Sequence, residues 1–429
     1  MSCVASTRWI LLALLAPALL AGGVRADDLP RAKPAAVGVS SEKLARIDEL
    51  FETAVKERQI AGSVVLIARK GPVVHLKAAG FADAEAKKPM ATDTIFRLAS
   101  MTKPVTSVAV MMLVDDGKLR LDDTVSKYLP GFKGQKVLVP GKDGAEDKLV
   151  DAEREVTIRD LLTHTSGLIY AFPGVDEGLA KRYNEATINF GFGPTTERIG
   201  DNVNRLATLP LAHQPGKAFT YGLSTDVLGR VVEVASGKDL DEFFRERIFV
   251  PLRMTDTSFL PPPEKAGRVA ALYKLGEDGK VVRQDKGAAW SYDGSKNYFS
   301  GGAGLLGTAS DYGRFLLMLQ GGGRLGGTQL LKPETVKLMT ANQLGELTVG
   351  PLSPLDGFGL GFAVLTERNK GKTAMSVGSY SWGGAFYTTF WVDPQKELAA
   401  VMLTQVALPW GDLKLMEELP KRTYEALTE

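Results

Sequence analysis

Strand-like segments stand at both ends of this 429-residue chain, and helix-like segments fill the space between them. That order constrains the fold more than any other feature of the sequence. Near the start, Ser63 to Arg69 and Val73 to Ala79 are rich in β-branched and apolar residues and are joined at Lys70-Gly71-Pro72, a hairpin signal. Near the end, Gly359 to Glu367, Ala385 to Val392 and Leu398 to Thr404 read as strands, with a closing helix over Leu413 to Leu427. Between them, helical spacing marks Thr157 to Thr163, Ser224 to Ala235 and Ala309 to Leu319. The simplest layered solution is an α+β fold: one antiparallel sheet assembled from both chain ends, flanked by helices, with a mostly helical domain inserted. The expected boundaries are 27–98 and 290–429 for the sheet domain and 99–289 for the helical one, with an active site at their junction.

The first 26 residues read differently. Arg8 gives a positive start, Trp9 to Leu20 is almost wholly apolar, and Val24-Arg25-Ala26 is a small-x-small cleavage site. A secretory signal over 1–26 is expected, the alternative being an uncleaved anchor, although the apolar run is short for a membrane span. The protein is therefore expected in the periplasm or outside the cell. Its one cysteine, Cys3, lies inside the leader, so the mature chain has no disulfide or thiolate chemistry and must be held by core packing. Without Arg8 and Arg25 the chain has 50 basic and 50 acidic residues. That balance gives no electrostatic footprint for nucleic acid and no polybasic membrane patch.

Ser100-Met101-Thr102-Lys103 is the strongest chemical signal. Residues i and i+3 share a helix face, so the amine can reach the hydroxyl and the pair can form an acyl-enzyme. Chance supplies about one S-x-x-K in a chain of this composition, and a second occurs at Ser40-Ser41-Glu42-Lys43. Context separates them. Ser40 precedes an amphipathic segment, Glu42 to Lys56, and reads as a helix cap. Ser100 opens an apolar helix ending at Asp116-Gly117, with Pro104 tolerable only in its first turn.

Other chemistry is scarce. The chain has three histidines, His75, His164 and His213, no G-x-S-x-G and no H-E-x-x-H. A Ser-His-Asp triad and a metal site are weakly supported. Tyr221 lies between a turn and the helix from Ser224, where a phenolate could take the serine proton, or where an ordinary half-buried tyrosine could sit. Trp382-Gly383-Gly384-Ala385 opens an end strand whose glycines admit close approach and whose edge N–H groups could polarise a carbonyl. The alternative is a hairpin turn beside a core tryptophan.

Ser100-x-x-Lys103, Tyr221-x-Leu223 and Trp382-Gly383-Gly384 follow the order of the three motifs of the serine β-lactamase and penicillin-binding-protein superfamily. Phe96 to Ser100, Leu119 to Asp123, Leu161 to Leu168 and Ser300 to Leu305 are similar to its class C branch, and the resemblance runs from about Ala35 to about Leu403. The Trp-Gly-Gly form resembles the family VIII carboxylesterases. The resemblance implies Ser100 as nucleophile, Lys103 and Tyr221 as base apparatus, and the backbone N–H groups of Ser100 and Ala385 as oxyanion hole. It implies substrate contacts from Leu223, Trp382, Gly383 and Gly384, with no cofactor and no metal.

The departures concern substrate. Leu223 replaces the usual asparagine of the second motif, and Trp382-Gly383 replaces the lysine and threonine of the third. Losing a charge-assisted contact costs about 1.5–3 kcal/mol. The expected activity is therefore an exported carboxylesterase for short-chain acyl esters, with at most weak turnover of β-lactam rings. The alternatives are a β-lactamase or D-alanyl-D-alanine carboxypeptidase, and a non-catalytic sensor or binding protein on the same scaffold. Pocket width is expected to depend on two irregular insertions, Lys133–Glu153 and Ile169–Gly200, and on the Trp290–Phe299 loop.

Overall fold

The computed structural model describes residues 29–141, 146–172, 176–192, 195–284, 294–295, 297–407, 409 and 413–428. The leader expected over 1–26 and much of the Trp290–Phe299 loop lie outside these residues. The strands form an eight-stranded antiparallel sheet. In chain order they are β1 Gly62–Arg69, β2 Val73–Asp83, β3 Lys88–Pro89, β4 Gly357–Phe358, β5 Ala363–Val364, β6 Tyr380–Gly384, β7 Thr388–Asp393 and β8 Leu398–Leu403. Their spatial order is β4-β5-β6-β7-β8-β1-β2-β3. The seam between the two chain ends is β1 against β8, in register from Val64↔Leu403 to Arg69↔Leu398.

β1 is buried along its whole length because both sheet faces are covered. Successive strand side chains point to opposite faces. Val65 and Ile67 pack with α1 (Ser41–Lys56). Val64, Leu66 and Ala68 pack into the larger core, which holds α2 (Thr102–Asp115), α3 (Ser224–Ser236) and α4 (Ala309–Gln320). A closing helix, α5 (Leu415–Glu425), lies against α1 on the first face. The Ser40 side chain accepts the Lys43 N–H at 3.3 Å, which makes the decoy S-x-x-K a helix cap.

α2 is buried from Thr102 to Leu113. A helix that is apolar all round belongs inside the molecule. Its first turn is preceded by a 3₁₀ turn, Ala99–Met101, so Ser100 stands at the entry to the helix and Pro104 falls in its first turn.

Several local expectations are corrected. The strand expected over Gly359–Glu367 is only the two-residue Ala363–Val364, which pairs with Gly357–Phe358 just before the expected range. Ala385–Tyr387 is the β6–β7 turn, with Tyr387 at φ +59°, so the Trp382 motif lies on a strand before a hairpin turn and the next strand starts at Thr388. The first insertion contains a hairpin, Lys136–Val139 with Lys148–Asp151. The second contains a helix, Glu177–Glu185, whose N-cap Asp176 accepts the Leu179 N–H at 3.0 Å. Leu179 and Tyr183, one helical turn apart, tie that helix to the core.

Candidate active site

Four segments meet at the entry to α2. Ser100 is half-buried and Lys103, three residues on, is only 2% exposed. Lys103 Nζ lies 3.2 Å from Ser100 Oγ. Tyr221, just before α3, places its Oη 2.7 Å from Ser100 Oγ. Lys103 Nζ also sits 4.7 Å from the centroid of the Tyr221 ring. The tyrosine, 121 residues away in sequence, thus closes on the same hydroxyl as the lysine.

The turn that carries Ser100 is clamped. Tyr312 of α4 donates to the Met101 carbonyl at 2.9 Å, and the Leu305 N–H donates to Thr102 Oγ1 at 3.0 Å. Thr388 Oγ1 donates to the Leu98 carbonyl at 3.3 Å. These bonds hold Ala99 at φ +47°, a left-handed conformation immediately before the nucleophile candidate. For a residue with a Cβ, such a backbone costs about 1–3 kcal/mol and persists where the surroundings over-determine it.

The end of β6 packs against this turn. A Cβ on Gly384 would fall 2.3 Å from the Leu98 carbonyl oxygen and 2.4 Å from Thr388 Oγ1, so only glycine allows the approach. The β6–β7 ladder ends at Gly384↔Thr388, and the Ala385 amide opens the turn. Ala385 and Ala99 share a small buried cluster with Leu272 and Phe386. The Trp382 ring is 5.3 Å from that of Tyr221 and 5.3 Å from Phe358 on β4. Gly383 pairs with Thr389 in the strand ladder.

Leu223, expected to touch substrate, caps α3 and is fully buried in the main core, where an apolar side chain gains more than by facing solvent.

The histidines do not reach the hydroxyl. His164 is buried behind Tyr221, ring centroids 5.0 Å apart. Burial, with Lys103 adding, holds its imidazole well below the ordinary range and therefore neutral. Its backbone carbonyl accepts the Thr220 N–H at 2.8 Å, which pins the segment leading to Tyr221. His213 supports the same segment, Nε2 to Thr220 Oγ1 at 2.9 Å and Nδ1 to the Gln214 carbonyl at 3.0 Å. His75 lies in β2, and burial pushes it down to about 4.

Three contributors are absent from the sequence reading. Tyr170 Oη lies 3.0 Å and the Gly302 carbonyl 2.8 Å from Lys103 Nζ. With Ser100 Oγ they give three acceptors for the three N–H groups of an ammonium. Tyr170 is buried and stacks on Phe172 at 5.1 Å, and burial beside Asp226 pushes its phenol well above the ordinary range. The third is Asp226, in the first turn of α3. Tyr170 stands three residues beyond the Thr165-Ser166-Gly167 turn. Among the described residues, no group of three or more His, Cys, Asp or Glu could hold a metal ion, and no helix is long and apolar enough to cross a membrane.

A half-buried serine enclosed by lysine and tyrosine, at the edge of a two-faced antiparallel sheet, places the protein among the serine hydrolases. More particularly, the chain belongs to the beta-lactamase family, which it matches over residues 47–419. It is 35% identical over 391 residues to esterase EstB of Burkholderia gladioli, covering 87% of this chain and 93% of the relative. Its fold superposes on EstCE1, described as a hydrolase with promiscuous acyltransferase activity, with TM-score 0.75 and 31% identity over 89% of this chain and 99% of that one. Simvastatin synthase (LovD) from Aspergillus terreus gives TM-score 0.75 and 27% identity over 90% of this chain and 98% of that one.

Proposed function

We propose that the protein is an exported carboxylesterase that cleaves short-chain, neutral acyl esters through an acyl-enzyme on Ser100. The observation that carries the reading is Tyr221 Oη at 2.7 Å and Lys103 Nζ at 3.2 Å from one hydroxyl. Ser100 Oγ attacks the ester carbonyl and passes its proton to Tyr221 in its phenolate form, with the Lys103 ammonium holding the pair in place. The oxyanion is received by the N–H groups of Ser100 and Ala385, worth about 3 kcal/mol per donor. The carbon–oxygen bond to the alcohol breaks, and the proton returns to the departing alkoxide. Water then attacks the acyl-enzyme by the same route and releases the acid.

The apolar face of Trp382, beside Tyr221, supports neutral esters over anionic amides. The leader composition supports export to the periplasm or beyond. The names of EstCE1 and LovD favour a second reading, in which an alcohol replaces water as acyl acceptor.

The test is hydrolysis of p-nitrophenyl acetate, butyrate and palmitate by the purified mature protein, with a Ser100→Ala control. Turnover of the short chains, lost in the variant, is expected. A folded protein with no turnover on any chain length ends the reading. Efficient nitrocefin hydrolysis with negligible ester hydrolysis favours a β-lactamase, and transfer to added butanol in preference to water favours the acyltransferase.

A further inference from the structure

Asp226 is a fully buried carboxylate that the hydrolytic route above does not use. Its Oδ1 accepts from Ser300 Oγ at 2.6 Å and from the Gly302 N–H at 3.4 Å. A contact as short as the first is typical of a hydroxyl bonded to an ionised oxygen. The carboxylate also sits in the first turn of the 13-residue α3, where the helix dipole favours negative charge. Gly302 links it to the reaction centre, for the same residue that donates its N–H to Asp226 accepts Lys103 Nζ on its carbonyl at 2.8 Å. A Cβ on Gly302 would fall 2.4 Å from Asp226 Oδ2 and 3.1 Å from Tyr170 Oη, so both oxygens border the space left by the missing side chain. Oδ2 has no hydrogen-bond partner, although it is buried.

We propose that Asp226 is a positioning residue: the buried counter-charge to Lys103, which sets the pH at which the Ser100–Lys103–Tyr221 group becomes active. The proposal rests on the Ser100 reading above. A buried ammonium is costly unless it is paired, and its three acceptors, Ser100, Tyr170 and Gly302, carry no formal charge as hydroxyl, phenol and carbonyl. Asp226 supplies the missing negative charge. Burial raises the affinity of its carboxyl for a proton, and the Ser300 hydroxyl, Lys103 and the Gly302 N–H oppose that rise. The groups facing the cluster are Lys103 from α2, Tyr170, Tyr221 and Tyr298. Glu197 and Arg205 lie beyond Tyr298, and the neutral His164 lies behind Tyr221. A fixed negative charge here makes the centre hold its proton more tightly, so removing the charge should let the base form at lower pH.

The experiment measures two profiles against pH in the wild-type mature protein and in Asp226→Asn: kcat/KM on p-nitrophenyl butyrate, and the rate of Ser100 labelling by a fluorophosphonate. The acid limb of both should move to lower pH by about one unit or more, with a lower plateau in kcat and little change in KM. A lower plateau with the limb in place means a structural role only, and overturns the proposal while leaving the Ser100 reading intact. Absence of labelling and turnover in the wild type removes both. If Asp226→Asn does not fold, Ser300→Ala decides: loss of the short bond to Oδ1 should shift the limb in the same direction, and an unmoved limb overturns the proposal.

Discussion

Tyr221→Phe is the sharpest perturbation of the proposed mechanism, because it deletes one oxygen and leaves the packing. The ring remains between His164 at 5.0 Å and Trp382 at 5.3 Å, and Tyr221 is half-buried, so folding should be little affected. What disappears is the 2.7 Å contact to Ser100 Oγ. A positioned general base contributes about 10²–10⁴ to the rate, equal to about 2.7–5.4 kcal/mol of activation free energy. The expected result is a kcat on p-nitrophenyl butyrate lowered by about that factor, with KM changed much less, since the oxygen is assigned to the chemical step. Thermal unfolding of the two proteins should nearly coincide. The assay is steady-state turnover at several pH values, with Ser100→Ala as the zero. A Tyr221→Phe enzyme with near-wild-type kcat and an unchanged pH profile would falsify the assignment of Tyr221 as base and leave Lys103 to carry the proton.

The remaining predictions test packing, charge and specificity. In Gly384→Ala the new Cβ meets the Leu98 carbonyl and Thr388 Oγ1 at 2.3 and 2.4 Å, so the Ala385 amide should be displaced from the Ser100 turn, with kcat falling about 100-fold; an unimpaired kcat argues against that amide as an oxyanion donor. Trp382→Lys places a cation beside the site, so the ratio of nitrocefin to ester kcat/KM should rise about tenfold, and a constant ratio means that Trp382 does not select substrate charge. His75 is held at about 4 in the fold against 6.5 in the free side chain, by burial and then by Lys77, while its Nε2 lies 3.4 Å from Asp48 without a hydrogen bond. Burial outweighs that weak ion-pair geometry. The unfolded chain therefore binds the extra proton first: the stability contribution is complete above pH 6.5 and falls as pH drops toward about 4, by roughly 3 kcal/mol in all. Urea unfolding at pH 7 and pH 4.5 should show a smaller acid loss in His75→Gln than in the wild type, and equal losses count against this account.

The parts of this protein that were legible in the sequence are those governed by short-range rules. Helical spacing placed α1, α2, α3 and α4 within a few residues. The Ser40 cap told the decoy S-x-x-K from the one at Ser100, and the i, i+3 geometry put the lysine next to the serine. The strand order at the two chain ends anticipated a sheet closed by β1 against β8. The Ile169–Gly200 insertion yielded least, because its helix is marked only by Asp176 and by Leu179 and Tyr183 one turn apart, amid glycines and charges.

Tertiary structure alone decided what surrounds the ammonium. Tyr170, Gly302 and Asp226 stand 67, 199 and 123 positions from Lys103, and none carries a local pattern that assigns it to a site. Only tertiary structure sent Leu223 into the core and put Ala385 in a turn rather than a strand. Propensity and periodicity act over a helical turn or a strand pair. The neighbours of a buried charge are set by how distant segments pack, and by the cost of leaving that charge without partners.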